Sequence, residues 1–423
     1  MNYINLIPSI YLFEGKVVNK DTKEVIGTGN PVEIATVYDN NGADELLVFD
    51  ISSNDSEHEA NISAMINIAD SVDIPMLVGG NIKRLEDVKK YIYTGAKKAI
   101  LDGNKESNLE LVSEASERFG SDKIAVMIDS TFDMNKIKTL KYDGASLIIA
   151  NNCAREALGY GIRVLAYDCM YSFEDIISFA KEEKVYGVSH AGLDEAFDYM
   201  NFKAQLKDED VKVDVLESKI TFDKFKTNSD GMIPVIVQDY KTDKVLMLAY
   251  MNEEAFNLTI KTGKMTYFSR SRNEIWVKGL TSGHFQYVKE LSMDCDLDTM
   301  LAKVHQVGVP CHTGADTCFF NELVKKEFDE SNPIHVFEDV YKTILDRKVN
   351  PKEGSYTNYL FDKGIDKILK KVGEEATEIV IAAKNPDPQE VKYEISDFLY
   401  HVMVLMAEKG VTWKEITKEL SRR

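Results

Sequence analysis

Met293-Asp294-Cys295-Asp296-Leu297-Asp298 sets three carboxylates and a thiol within a few consecutive residues. As a strand or extended loop, the segment sends Asp294, Asp296 and Asp298 to one side and Cys295 to the other, because side chains alternate with period two. A helix would fan the three carboxylates around its axis, so an extended backbone is what gathers them. Hard oxygen donors suit Mg²⁺ and a soft thiolate suits Zn²⁺. Two further thiols follow, in Cys311-His312-Thr313-Gly314 and Thr317-Cys318-Phe319, and favour a metal centre over an acidic surface strand.

Upstream of this segment, Met232–Tyr240 and Val245–Tyr250 are β-rich runs around the polar turn Lys241-Thr242-Asp243-Lys244, which reads as a hairpin. Asn252-Glu253-Glu254 then caps a helix to about Thr262. The middle of the chain is therefore expected to be an α+β domain, mostly antiparallel β, over residues 230–326.

At 423 residues the chain has room for two or three domains, and its 44% hydrophobic and 29% charged composition is that of a globular protein. No run of 18 apolar residues occurs and the N-terminus lacks a basic region, so neither membrane partner nor secretion is expected, and the location is read as cytoplasmic. Five cysteines, odd in number and concentrated late in the chain, argue against a disulfide framework. In a reducing compartment clustered thiols more often hold metal. A net charge of −19 would repel a polyanion and excludes nucleic acid as a partner, while a small phosphorylated substrate stays admissible beside cations and arginines.

Residues 1–205 alternate short β-rich runs with helical patterns. Candidate strands are Ile4–Ile10, Glu45–Ile51, Pro75–Val78, Lys98–Leu101, Lys123–Ile128, Ser146–Ala150, Arg163–Tyr167 and Val185–Val188, a pattern that predicts a (β/α)8 barrel. Leu6-Ile7-Pro8-Ser9-Ile10, Glu14-Gly15-Lys16-Val17-Val18, Asn30–Ala35, Gly42–Leu46 and Val78-Gly79-Gly80-Asn81-Ile82 resemble the first half of the histidine-biosynthesis barrels. These comprise the phosphoribosylformimino isomerase and the cyclase subunit of imidazole-glycerol-phosphate synthase. The resemblance implies an acid–base aspartate at the end of the first strand, where Tyr11 stands here, and a second at the end of the fifth, matched by Asp129. The phosphate-holding glycine pairs of the later strands have no counterpart near Ala166-Tyr167-Asp168-Cys169, which removes the backbone amides that would bind phosphate. A degenerate, non-catalytic barrel is expected, followed by a charged linker over 206–229.

From Gly231 to about Leu323 the chain resembles phosphoribosyl-AMP cyclohydrolase. The resemblance rests on Leu246–Asn252, Phe268-Ser269-Arg270-Ser271-Arg272, Trp276-Val277-Lys278-Gly279, Thr281-Ser282-Gly283-His284, the acidic stretch and Cys311-His312-Thr313-Gly314. It implies a homodimer that binds Zn²⁺ through Cys295 of one subunit with Cys311 and Cys318 of the other, and Mg²⁺ through Asp294, Asp296 and Asp298. Ring opening between N1 and C6 of the purine needs a strong nucleophile at neutral pH, and a three-thiolate zinc leaves one position open for water. His312 beside a ligand and His284 are the candidates for proton transfer. Arg270 and Arg272, two apart, would share a strand face and grip a phosphate, with Lys278 as a further substrate contact. Trp276 is expected in the core.

Beyond the polar stretch Glu327–Pro333 the pattern turns helical, with His335–Asp346 amphipathic and a short helix from Tyr356. Glu375 and Glu378, like Glu394 and Asp397, lie three apart and so share helical faces. The break Asn385-Pro386-Asp387-Pro388 returns the second helix along the first, and converging carboxylates imply Mg²⁺ and a polyphosphate. Residues 355–420 resemble phosphoribosyl-ATP pyrophosphohydrolase, an all-α enzyme with the signature E-E-x-x-E then E-x-x-D. Glu374, Glu375, Glu378, Glu394 and Asp397 fill it, which implies Mg²⁺ ligands throughout and catalytic roles for Glu375 and Glu378. Lys367, Lys370 and Lys371 are candidate phosphate contacts, and Ile379, Val380, Phe398, Val402 and Leu405 the expected core and oligomer face of a domain over 334–423.

Together these resemblances imply a bifunctional hydrolase acting on phosphoribosyl-ATP and then phosphoribosyl-AMP, with Zn²⁺ and Mg²⁺. Its rivals are a trifunctional enzyme with an isomerising barrel and a zinc-stabilised scaffold that binds nucleotides without converting them.

Overall fold

Pro8 has no N–H to give to a sheet and splits the first barrel strand into β1 (Asn5–Leu6) and β2 (Ser9–Phe13). The computed structural model describes residues 3–168, 172–189, 194–326, 335–386 and 388–421. It divides into two compact units, Met1–Glu322 and Leu323–Arg423. The stretch Glu327–Pro333, Cys169 and Asp387 lie outside the described residues.

In the first unit β1 pairs in parallel with β10 (Val185–Ser189), while β2 pairs in parallel with β4 (Leu46–Asp50). The two links to the interruption persist, since Ile7 N–H donates to Val188 and Leu47 N–H donates to Pro8. The first strand therefore has a neighbour on each side, and the barrel closes. Around it run β5 (Met76–Gly79), β6 (Lys98–Asp102), β7 (Ile124–Ile128), β8 (Leu147–Asn151) and β9 (Arg163–Tyr167), all parallel. A short β3 (Lys16–Val18) folds back antiparallel on β2. The crossovers are α1 (Pro31–Asn41), α2 (Asp55–Ser71), α3 (Leu85–Tyr93), α4 (Glu106–Phe119), α5 (Lys136–Tyr142), α6 (Ala154–Leu158) and α7 (Phe173–Ala180), and α8 (Tyr199–Asp208) follows the last strand.

The strands read as continuous apolar runs because both of their faces are buried. Along β8, Leu147 and Ile149 point into the lumen with Leu47, Phe49, Leu77 and Leu165, whereas Ile148 and Ala150 join the larger core under the helices. At the lower end, where the strands begin, buried Glu45 accepts from the Tyr186 hydroxyl at 2.6 Å and pairs with Lys97. At the upper end Tyr11 stacks on Phe49 at 5.4 Å, Phe49 meets Tyr167 edge-on, and the hydroxyls of Tyr11 and Tyr167 are hydrogen-bonded to each other. Aromatic side chains thus fill the end at which barrels of this kind place their reactive groups.

The same unit contains a second sheet ordered β12-β11-β16-β15, from β11 (Ile233–Asp239), β12 (Val245–Met251), β15 (Gln286–Met293) and β16 (Met300–Gln306). Only β11 and β16 are parallel. The expected hairpin is β11–β12, tightened by Asp239 accepting from the N–H groups of Lys241 and Thr242. A small hairpin of β13 (Thr266–Ser269) and β14 (Glu274–Val277) and helix α9 (Glu253–Thr262) complete it. Asn252 caps α9 by accepting from Ala255 N–H, as its position predicts. Trp276 packs half-buried on this core, 5.5 Å from the Tyr267 ring.

The sheet is docked on the lower end of the barrel. Asp73, in the α2–β5 loop, accepts from the Tyr240 hydroxyl and pairs with Lys289, both at 2.8 Å. Asp39 at the C-terminal end of α1 lies 3.9 Å from the same Lys289, and His305 Nδ1 meets Asn40 Oδ1 at 2.9 Å. A lysine beside the negative end of a helix gains from the helix dipole as well as from the carboxylates. Asp73→Ala leaves Tyr240 without its acceptor and Lys289 with only the more distant Asp39, and about 1–2 kcal/mol of stability should be lost from the full chain. Urea unfolding should show a lowered midpoint, with the barrel and sheet signals separating.

The second unit is helical: α10 (Val336–Val349), α11 (Tyr356–Lys363), α12 (Ile365–Ala382), α13 (Pro388–Lys409) and α14 (Trp413–Ser421). Its core is built from Tyr341, Ile344, Leu360, Ile368, Met403, Val404, Met406 and Ala407. This corrects the expected core. Val402 and Leu405 lie only at its margin, and Val380 is 64% exposed, because α12 turns its acidic face rather than its Ile379–Val380 edge toward α13.

Candidate functional site

Asp294, Asp296 and Asp298 do gather, with carboxylate oxygens within 4.8 Å of one another, but by a mechanism other than pleating. The segment is the tight connection between β15 and β16. Asp294 accepts from the N–H groups of Asp298 and Thr299, and Leu297 takes a positive φ of 64°. A turn curls the three carboxylates together on the surface, which corrects the extended reading. Cys295, between them, is exposed.

The other two thiols meet elsewhere. Cys318 N–H donates to Leu246 C=O at 2.7 Å and the Thr317 hydroxyl to Val245 C=O at 2.8 Å, so the loop after β16 is stitched to the start of β12. This brings Cys318 into contact with the Cys311 thiol. The Thr313 hydroxyl, 3.1 Å from Cys311 Sγ, and the Thr313 N–H hold that thiol below its ordinary pKa. Two facing thiols, one biased toward thiolate, are donors that fit zinc. Among the described residues no group of three metal-type ligands contains a cysteine, so Cys295 does not join the pair within one chain.

Lys278 is buried beside both sulfurs, and its Nζ donates to Pro310 C=O at 2.5 Å. Burial lowers its pKa. Its position is that of a cation beside the thiols. Arg270 and Arg272 occupy the β13–β14 turn rather than a strand: Arg270 lies over the Tyr250 ring at 3.9 Å, and Arg272 Nε pairs with Glu274 at 3.2 Å. The expected shared strand face is absent, because the hairpin reverses at these residues. His312 is exposed. His284 is half-buried, and its ring closes on Gly308, where an added Cβ would come within 2.6 Å of Cδ2. Gly308 also has φ 62°, so Gly308→Ala is expected to displace the His284 ring and to lower the midpoint of urea unfolding.

In the second unit, α12 and α13 bring Glu375, Glu394 and Asp397 within 4.8 Å of one another. Glu375 is the buried member, at 4% exposure. Glu378 stands beside Glu375 and Glu394, and its pKa is raised by desolvation and by those two carboxylates. Glu374 is not in that group; it pairs with Lys371 at 3.1 Å and Lys370 at 3.4 Å, and its carboxyl is held below the usual range by Lys371. Lys371 also reaches Glu375 at 3.3 Å. Crowded carboxylates with one raised pKa are a donor set that a divalent cation relieves.

His401 was not singled out by the motif. It is buried, with Nδ1 2.8 Å from Asp397 C=O and 3.7 Å from Glu375 Oε1, and Nε2 3.0 Å from the Tyr356 hydroxyl. The available signal was spacing: His401 follows Asp397 by four residues and so shares its helical face.

Comparison with known proteins follows the same division. The family described as phosphoribosyl-AMP cyclohydrolase matches residues 247–320, and that described as phosphoribosyl-ATP pyrophosphohydrolase matches 337–423. The family described as histidine biosynthesis protein matches residues 5–170. The histidine biosynthesis bifunctional protein HisIE of Thermoanaerobacter pseudethanolicus is 52% identical over 207 residues, covering 46% of this chain and 96% of the relative. The chain belongs to the HisIE family. The HisIE proteins of Lactococcus lactis (52% over 192 residues, 45% of this chain and 88% of the relative) and Bacillus subtilis (43% over 201 residues, 48% and 95%) agree with this. This HisIE-family chain is thus a hydrolase of histidine biosynthesis with cyclohydrolase and pyrophosphohydrolase domains, fused to a histidine-biosynthesis barrel.

Proposed function

We propose that the C-terminal unit hydrolyses phosphoribosyl-ATP to phosphoribosyl-AMP and pyrophosphate. The middle domain then opens the adenine ring between N1 and C6, giving the formimino aminoimidazole carboxamide ribotide. The observation that carries this reading is the placement of the donor sets. Glu375, Glu394 and Asp397 converge inside the region matched to the pyrophosphohydrolase, and the Cys311–Cys318 pair forms inside the region matched to the cyclohydrolase. The assigned domain limits are 1–205, 206–229, 230–326 and 334–423.

In the C-terminal unit Glu375, Glu394 and Asp397 would hold Mg²⁺, which when bound neutralises polyphosphate charge and orients water. Glu378, the carboxyl with the raised pKa, accepts the proton of the attacking water, and Lys371 and Lys370 meet the phosphates. Glu374 would join the ligands to Mg²⁺ if Lys370 and Lys371 turned to substrate.

In the middle domain Cys311 and Cys318 of one copy and Cys295 of a second would hold Zn²⁺, which when bound supplies a water of pKa near ~7. The separation of Cys295 from the thiol pair within one chain supports sharing across a homodimer. Asp294, Asp296 and Asp298 would hold Mg²⁺. His312 and His284 move protons to and from the purine, and Arg270 and Arg272 bind the phosphate. We place the reactions in the cytoplasm, where the thiols stay reduced.

The barrel is assigned no catalytic role. Tyr11 holds the place of the first acid–base group, and Asp129 is committed to its own turn. It accepts from the Thr131 hydroxyl at 2.6 Å and N–H at 2.8 Å, which hold its carboxyl below the usual range.

The test is metal analysis of the full chain with assays on both substrates. Stoichiometric zinc, Mg²⁺-dependent pyrophosphate release and ring opening are expected. Nucleotide binding without pyrophosphate release would favour a scaffold, and turnover of the ring-opened product would restore the barrel as an isomerase.

A further inference from the structure

The acidic cluster accounts for the phosphate end of a purine nucleotide, and leaves open where its ring lies. Tyr356 begins α11 beside the cluster, and its environment includes Lys371 and Glu375. Its ring lies offset and nearly parallel to that of Tyr359, with centroids 6.1 Å apart and planes at 22°. Both are open to solvent, Tyr356 at 46% and Tyr359 at 43%. On the inner side Tyr400 continues the stair at 6.4 Å and 24°.

The Tyr356 ring is anchored by its hydroxyl, and the Tyr359 ring packs against it with Lys363 Nζ 5.9 Å over its face. His401 Nδ1 lies 2.8 Å from the Asp397 carbonyl and 3.7 Å from the Glu375 carboxylate. On its other side His401 Nε2 is hydrogen-bonded to the Tyr356 hydroxyl at 3.0 Å. One buried imidazole therefore connects the aromatic stair to the metal-binding carboxylates. An aromatic face held at fixed distance from a phosphate-binding centre is the arrangement that stacks a base, since every purine offers a π face.

We propose that Tyr356 and Tyr359 form the face on which the purine of the pyrophosphohydrolase substrate stacks, and that His401 is the positioning residue that fixes this face relative to Glu375 and Asp397. This rests on the pyrophosphohydrolase reading above.

The experiment compares full-length wild type, Tyr356→Leu, Tyr359→Leu, Tyr356→Phe, His401→Asn and the Tyr356→Phe/His401→Asn double variant. Steady-state pyrophosphate release, ATP binding by calorimetry and molar mass in solution are read for each. Tyr356→Leu and Tyr359→Leu should raise KM about five- to hundredfold, with kcat nearly unchanged. Tyr356→Phe keeps the ring and should retain most of the affinity. His401→Asn should raise KM in the same direction as Tyr356→Phe, with no further loss in the double variant because one hydrogen bond is removed either way. Unchanged KM and ATP affinity in both leucine variants would overturn the proposal. So would a change of molar mass with unchanged KM, which would make the stair a face for a second copy. If the wild type releases no pyrophosphate, the pyrophosphohydrolase reading fails, and ATP binding weakened by Tyr356→Leu then still upholds the stacking face.

Discussion

Cys311→Ala is expected to reduce ring opening to below about one hundredth of wild type while pyrophosphate release from phosphoribosyl-ATP continues unchanged. Cys311 is the thiol that Thr313 biases toward thiolate, and it sits at the centre of the Cys318 and Lys278 arrangement. Removing it leaves, beside the buried Lys278, only Cys318 and Cys295 of a second copy from the proposed three thiolates, too few donors to retain zinc against water. Without zinc, the attacking water would return to its far higher ordinary pKa and lose its reactivity at neutral pH. The measurements are bound zinc and the rates of both steps on the same preparation. Because the thiols lie in the first compact unit and the carboxylate triad in the second, the second activity serves as the control for folding.

Glu375→Gln should have the opposite selectivity. It removes the buried carboxylate of the triad and leaves Lys371 and His401 facing a neutral amide. Pyrophosphate release should fall about a hundredfold or more, the size expected when a preorganised charge at the reacting centre is lost. Ring opening of supplied phosphoribosyl-AMP should be unaffected. Raising Mg²⁺ should recover only part of the loss, because the variant lacks a ligand and not merely occupancy. A Glu374→Gln variant should lose less, since Glu374 is engaged by Lys370 and Lys371 rather than gathered with the triad.

The barrel strands were legible because strands buried on both faces leave unbroken apolar runs, and Arg163–Tyr167 is found where its residues place it. Closure was not legible, because it depends on Pro8 dividing the first strand's partners between β10 and β4, a matter of pairing rather than of local pattern. In the acidic segment the residue types pointed to the clustering, but its cause did not follow from alternation. Asp294 side-chain acceptance from Asp298 and Thr299 turns the chain, a local competition that aspartate is suited to. Arg270 and Arg272 were misplaced for the same reason: a two-residue spacing means a shared face only where the strand continues. In the helical unit the Glu and Asp spacings located the cluster, whereas Val380 was assigned inward on apolarity alone. His401 escaped notice because its role comes from contacts to α11 and α12 that no motif on α13 records.

A zinc site assembled from two copies is tested by mixing full-length Cys295→Ala with full-length Cys311→Ala under conditions of subunit exchange. Each alone should be inactive in ring opening. A mixed dimer carries one site with Cys295 from one chain and the Cys311–Cys318 pair from the other, so activity should return, up to about one quarter of wild type for free exchange. No recovery, with exchange verified by mass, would contradict a zinc site shared between copies.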